Sequence, residues 1–399
     1  MLGSVRMFSN RTDWKLTRNR LTEALEEVRS SGVRVLDLTL SNPTRAGLHY
    51  EESSILQSLA SPRAMDYDPQ PKGLSIARTA VAAYYQAAHG IPDFDAERLI
   101  LTTSTSEGYS FVFRLLCNPG DELLVPQPSY PLFEFLADLE DVKLVPYPLI
   151  YDHGWQMDLP SLEQAVTKRT RGVVVVHPNN PTGSYVHADE QRSLSRFCRE
   201  HALAVIADEV FLDYAHDGSS QRSFVDHQEV LSITLSGLSK ISALPQMKVA
   251  WIATSGPKAE VAAAQARLEI IADTYLSLNA PLQWATPALL DQRQSIQQQL
   301  IDRVLANLAE LDRQIAAQKI CQRLRVEGGW FAVLRVPVTQ TDEELAVDLL
   351  RRKSVLVHPG HFYDFPSDGY VVLSLITPED GFAEGIRRLL ELLIADFDG

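Results

Sequence analysis

Four short apolar runs constrain this chain more than any other feature: GVVVVHP (172–178), ALAVIAD (202–208), VLSITLS (230–236) and KVAWIAT (248–254). Each is rich in valine, isoleucine or alanine and lacks the polar alternation of a strand with one wet face. Runs of this kind suit strands buried on both faces of a mostly parallel sheet. Helical stretches stand between comparable runs, among them GLSIARTAVAAYYQAAHG (73–90) and SEGYSFVFRLLC (106–117). That alternation predicts an α/β domain with a mostly parallel central sheet.

The ends of the chain read differently. Leu21, Leu25 and Val28 recur at helical spacing over 16–30, ahead of the strand-like VRVLDLTL. After one long helix expected at about 285–318 come WFAVLRVP, a helix at 341–352, VLVHP, YVVLSLI and a closing helix at 378–394. This pattern predicts a smaller α+β domain. The expected division is an N-terminal segment, 1–50, packing with the small domain, then a large domain, 51–284, and the small domain, 285–399.

The 399 residues carry a formal net charge of -14 with no basic stripe, which argues against a nucleic-acid partner. No apolar run is long enough for a membrane span, and the opening MLGSVRMFSNRTDWK has no signal-like apolar core. Cys117, Cys198 and Cys321 are few and far apart, so they read as reduced thiols, not a disulfide frame or a zinc site. A cytoplasmic protein is expected.

Ligands of open α/β sheets bind beyond the carboxyl ends of the strands. Applied here, that rule brings together Thr103, Ser104, Thr105 and Ser106, then Tyr130, Asn179 and Asn180, Asp208 and Glu209, and finally Lys240. Taken singly these have ordinary readings as a helix cap, a packed turn aromatic, turn amides, a paired carboxylate and a solvated lysine. Together they make a site for pyridoxal 5'-phosphate. A desolvated lysine amine condenses with the aldehyde, and a carboxylate keeps the pyridine nitrogen protonated. An amide bonds the 3-hydroxyl, an aromatic ring stacks on the pyridine, and a helix start with a nearby cation receives the phosphate.

The stretches MDYDPQPKGLSIAR, TTSTSEGY, NPGDELLVPQPSYP, HPNNPTG, VIADEV, SGLSKISALPQMK and VEGGWF, in this order, resemble the fold-type I, class I/II aminotransferases, of the aspartate aminotransferase-like kind. The resemblance implies Lys240 as the Schiff-base lysine and proton shuttle, Asp208 at the pyridine nitrogen, Asn180 at the 3-hydroxyl and Tyr130 stacked on the ring. It also implies Ser104, Thr105, Ser106, Ser239 and Lys248 around the phosphate. Tyr67 matches a tyrosine that reaches the phosphate from a neighbouring subunit, which implies a homodimer with shared active sites. The expected substrates are an amino donor and a keto-acid acceptor.

Several positions depart from that family's pattern. Phe211 stands where a tyrosine is common, Lys248 replaces an arginine, and Gly237 and Ala250 occupy positions usual for serine and glycine. Val372 stands where an arginine clamps the substrate α-carboxylate, and no lysine or arginine occurs between Lys353 and Arg387. Ser41 takes the place of a glycine near the same carboxylate. A buried carboxylate needs a cation, so Arg45, His358 and His361 are the candidate replacements, or else the substrate lacks an α-carboxylate there. The expected activity is an aminotransferase with atypical carboxylate recognition. The alternative is a decarboxylase, lyase or cyclising synthase on the same scaffold.

Overall fold

The computed structural model describes residues 7–14, 17–130, 133–219 and 221–397. Its large sheet has eight strands in the order Leu99–Thr102, Ala250–Ser255, Ser232–Gly237, Ala204–Asp208, Thr170–Val176, Glu122–Gln127, Lys143–Tyr151 and Trp155–Met157. The strand Ala250–Ser255 runs antiparallel to both its neighbours, and Trp155–Met157 closes a hairpin at one edge. The other pairings are parallel. All four predicted apolar runs lie in this sheet, and the valines 173–176 are buried.

Register sets the active rim. Val176 pairs with Asp208, which pairs with Leu235, while Gly237 and Thr102 both pair with Ala250. The carboxyl ends at Thr102, Asp208 and Gly237 therefore share one edge of the sheet. Gly108, one turn into the helix Thr105–Leu116, brings that helix close to the sheet, since a Cβ there would sit 2.7 Å from the Leu235 side chain.

The small domain holds a four-stranded sheet ordered Gln322–Arg323, Phe331–Arg335, Tyr370–Ser374 and His358–Pro359, with antiparallel pairings. A two-residue strand, Leu36–Asp37, pairs parallel with Val355–Leu356, so the N-terminal segment packs on this unit. The helix Asp342–Lys353 shows why its boundaries were legible: Thr341 and Glu344 form a capping box, with acids in the first turn and bases in the last.

Three local expectations change. The single helix expected over 285–318 is two, Ala280–Asp291 and Arg293–Gln318, separated at Gln292. The first packs on the helix Ser75–His89 in the large domain, so the expected boundary at 284 falls within it, and we propose the break at Gln292 as the division. VRVLDLTL forms only the Leu36–Asp37 strand, paired with Val355–Leu356, while Asp37 O and Leu38 O accept from Thr377 and Ser374. The helix expected over 16–30 is described as Arg20–Ser30, capped by Asn19, and Leu16 lies outside the described residues. No helix among the described residues is long and apolar enough to cross a membrane.

Candidate active site

Asp208 ends its strand in a buried position at the rim. Its Oδ2 accepts a hydrogen bond from the Tyr109 hydroxyl at 3.0 Å, and its Oδ1 accepts from the Val210 N–H at 3.2 Å. Burial pushes the carboxyl up to about 6, against the pull of those donors and of the Lys240 charge. Lys240 lies in the four-residue helix Leu238–Ile241, directly after the neighbouring strand. Its Nζ sits 4.9 Å from the Trp330 ring centroid and 5.3 Å from that of Phe211. The low-dielectric surroundings depress the amine to about 8, with the Asp208 charge opposing.

The two asparagines divide their work. The Asn179 amide donates to Pro128 O at 3.1 Å and to the Thr182 hydroxyl at 3.0 Å, which makes it part of the turn. Asn180 is also buried, yet its Oδ1 has no partner. Whichever way that amide is turned, a ligand hydroxyl fits the open position. Of the two acids at the strand end, only Asp208 faces Lys240. Glu209 accepts from the Ser223 hydroxyl and the Phe224 N–H, each at 2.6 Å, and burial raises it to about 7. Tyr130 keeps its ring open to solvent, while its hydroxyl is pushed up to about 12 by burial and by the charge of Asp208.

At the helix start, the Ser104 hydroxyl accepts from the Glu107 N–H at 3.2 Å, so it serves as the N-cap. The Thr105 and Ser106 N–H groups lie in the first turn, where no helical acceptor exists for them. Ser239 is half-buried beside Lys240. Lys248 is exposed in a left-handed conformation, two residues before Ala250, which places it near the same rim. An anion enclosed by these groups meets N–H donors, hydroxyls and a cation.

Two departures in this region are neighbours in the sheet. Gly237 and Ala250 pair across antiparallel strands, and a Cβ on Gly237 would lie 2.8 Å from the Ala250 Cβ and 2.8 Å from Val249 O. A serine at 237 would meet the Ala250 Cβ, which a glycine at 250 would remove, and the Val249 carbonyl, which would remain.

Val372 is buried in the same apolar cluster as Phe211, Tyr214 and Trp330, opposite Val333 and His358. His358 Nδ1 lies 3.1 Å from the Tyr363 hydroxyl, and burial lowers its pKa, with the Asp37 charge opposing, which disfavours a positive charge there. His361 is exposed near the carboxylates of Asp342 and Asp364, a poor place to receive another anion. Ser41 and Arg45 are exposed on the segment next to Leu40, whose carbonyl accepts from the Ser374 hydroxyl. Arg45 forms no ion pair among the described residues and lies on the segment whose Leu40 carbonyl meets Ser374. Tyr67 lies apart from Lys240, 83% exposed in an open cleft with Arg63 and Trp284.

Sequence reasoning did not single out Tyr109, Tyr214 or Trp330. Trp330 lies within VEGGWF, but no spacing rule carries it to Lys240. Tyr109 lies in the quoted stretch TTSTSEGY and meets Asp208 only through the seating of its helix on the sheet.

Two outcomes follow from this geometry. Because Lys240 is half neutral at about pH 8, uptake of pyridoxal 5'-phosphate by cofactor-free protein, followed by visible absorbance, accelerates with a midpoint near pH 8 rather than the ordinary 10.5. A depressed amine also makes the stability of the cofactor-free protein rise with pH across that window, because the unfolded chain still binds the proton. Secondly, Gly237→Ser lowers stability by about 1–3 kcal/mol through overpacking. Adding Ala250→Gly restores part of that loss, and calorimetry of the four proteins in the cycle measures the coupling; additive effects would refute it.

Residues 55–381 match the family Aminotransferase class I and II. The alanine aminotransferase of Mycobacterium tuberculosis is 29% identical over 380 residues, covering 92% of this chain and 87% of that protein. The glutamate-pyruvate aminotransferase AlaA of Escherichia coli is 31% identical over 281 residues, covering 70% and 69%. Among solved structures, an aminotransferase from Escherichia coli superposes with a TM-score of 0.86 at 26% identity, covering 97% of this chain and 98% of that one. These matches carry transamination and give no support to the decarboxylase, lyase or synthase alternative. With its mixed large sheet and appended small domain, the chain belongs to the class I and II aminotransferases, pyridoxal phosphate-dependent enzymes of fold type I.

Proposed function

We propose that this enzyme transfers an amino group between an α-amino acid and a 2-keto acid, with pyridoxal 5'-phosphate carried on Lys240. The observation that supports this most is the Lys240 amine, set against the Trp330 and Phe211 rings, depressed to about 8 and facing a raised carboxylate at Asp208. When bound, the cofactor supplies an electron sink for a bond broken at the substrate α-carbon. Asp208 would hold the pyridine nitrogen protonated, and that cation would in turn offset the desolvation of its carboxylate. Asn180 would take the 3-hydroxyl and Tyr130 the exposed ring face. With Phe211 carrying no hydroxyl, Asn180 is the 3-hydroxyl partner on this side. Thr105, Ser106, Ser239 and Lys248 would hold the phosphate, the Ser104 hydroxyl being taken up by its cap. Lys240 Nζ, freed by the incoming amine, would carry the proton away from the substrate α-carbon as base and return it as acid.

Arg45, with Ser41 beside it, is our candidate for the carboxylate anchor in place of Val372. Relatives are named for alanine, glutamate and pyruvate, so those compounds head a panel of donors and acceptors that also contains carboxylate-free amines. The expected result is conversion to the pyridoxamine form by one or two α-amino acids and none by Lys240→Ala. Arg45→Ala then raises KM for those donors by roughly 10–100-fold, the effect of losing one charge-assisted contact. Conversion by carboxylate-free amines alone would overturn the α-amino acid assignment.

We also propose a homodimer in which Tyr67 completes the phosphate site of the partner. Tyr67 and Met65 are 83% and 88% exposed beside an open cleft of about 610 Å³, two large side chains that a monomer leaves in water. Sedimentation velocity should return a dimer, and a monomer at micromolar concentration would exclude the shared site.

A further inference from the structure

Four consecutive residues beginning at the lysine are tied to four different parts of the chain. Lys240 O accepts from the Tyr214 hydroxyl at 2.6 Å, and Ile241 O accepts from Gln297 Nε2 at 2.8 Å. The Ser242 hydroxyl donates to Leu289 O at 2.9 Å, and Ala243 O accepts from the Tyr50 hydroxyl at 2.9 Å. A helix of four residues has no stability of its own, so these bonds decide where the Lys240 side chain starts.

Gln297 differs from the other three because it is itself held. Its Nε2 also donates to Asp213 Oδ2 at 2.6 Å. Asp213 Oδ1 accepts from the Tyr84 hydroxyl at 2.9 Å and lies 2.9 Å from His89 Nε2. The Asp213 and His89 side chains are only 6% and 4% exposed, and neither has a part in the cofactor chemistry described above. A carboxamide has two N–H donors in one plane. With one directed at a carboxylate and the other at Ile241 O, the amide cannot rotate. Gln297 belongs to the helix Arg293–Gln318, which also carries Asn307, whose amide donates to Leu375 O and Thr377 O at 2.8 Å each. One rigid helix thus touches both the lysine turn and the small-domain segment that follows Val372.

We propose that Gln297 and Asp213 are positioning residues for Lys240. The Asp213 carboxylate orients the Gln297 amide, the amide fixes the carbonyl beside the lysine, and the long helix passes the small domain's placement to the reactive amine. This rests on the assignment of Lys240 as the cofactor-bearing residue. Displacement of a reacting group by about 1 Å is enough to lower a rate by orders of magnitude.

The test uses the full-length enzyme loaded with pyridoxal 5'-phosphate. In Gln297→Leu, kcat falls roughly 10-fold or more while KM for the donor holds, and the pH midpoint of the visible absorbance moves. The double variant Asp213→Asn with Gln297→Glu exchanges donor and acceptor between the two side chains, yet sets an acceptor against Ile241 O. Its melting temperature should exceed that of Gln297→Glu alone, while kcat and the absorbance midpoint stay impaired. If Gln297→Leu does not fold, Asp213→Asn, which keeps the shape, carries the same readouts. The proposal is overturned if these variants lower only the melting temperature, or if the double variant restores all three properties. Absorbance that persists in Lys240→Ala would instead refute the lysine assignment, whatever the Gln297 variants do.

Discussion

The active rim depends on removing a carboxylate and an amine from water together. Separately, Asp208 and Lys240 are both pushed toward neutrality, to about 6 and about 8, and at neutral pH each is still mainly charged. That is a costly arrangement for a protein without its cofactor, and the remainder of the site limits the cost. Tyr109 and Val210 give Asp208 two donors, and the aromatic faces of Phe211 and Trp330 lie near the Lys240 ammonium. Asn180 waits with an unpaired amide atom. Such poise suits a group that must be nucleophilic near neutral pH.

With valine at 372, the apolar cluster around Trp330 and Phe211 is unbroken. A guanidinium buried there would require a partner in every unliganded state. Valine removes that demand and packs with Trp330 and Phe211. If Arg45 takes over, recognition moves from a rigid strand to an exposed turn, where the cation is hydrated before it binds.

The large sheet was legible because its strands declare themselves: valines 173–176 cannot alternate faces unless both are covered. The strand Lys143–Tyr151 was not, since Pro146 and Pro148 argue against a strand and are admitted here where it forms the sheet edge. Asp208 and Lys240 could be found by their position after apolar runs. The choice of Asn180 over Asn179, and of Asp208 over Glu209, came from the family resemblance and not from position, because it depends on which way a side chain turns and on what already occupies it. Likewise Gly237 and Ala250 read as two unrelated oddities until the register made them neighbours. Gln297, Trp330 and Tyr109 reach the rim through long-range packing, for which no local pattern exists.

The pairing of Leu36 with Val355 places a time constraint on the making of this enzyme. The strand's partner is synthesised roughly 320 residues after it, on the order of 15–60 s at ribosomal speeds. Late in that interval, once Ser255 has emerged, the large sheet, whose strands span Leu99–Ser255, can close, while the apolar face of Leu21, Ala24 and Val28 still awaits the small domain. The turn bearing Ser41 and Arg45 takes its place only after Ser374 has emerged. The seating of this turn is therefore a late product of translation, completed when an early segment of the chain meets one made more than three hundred residues later.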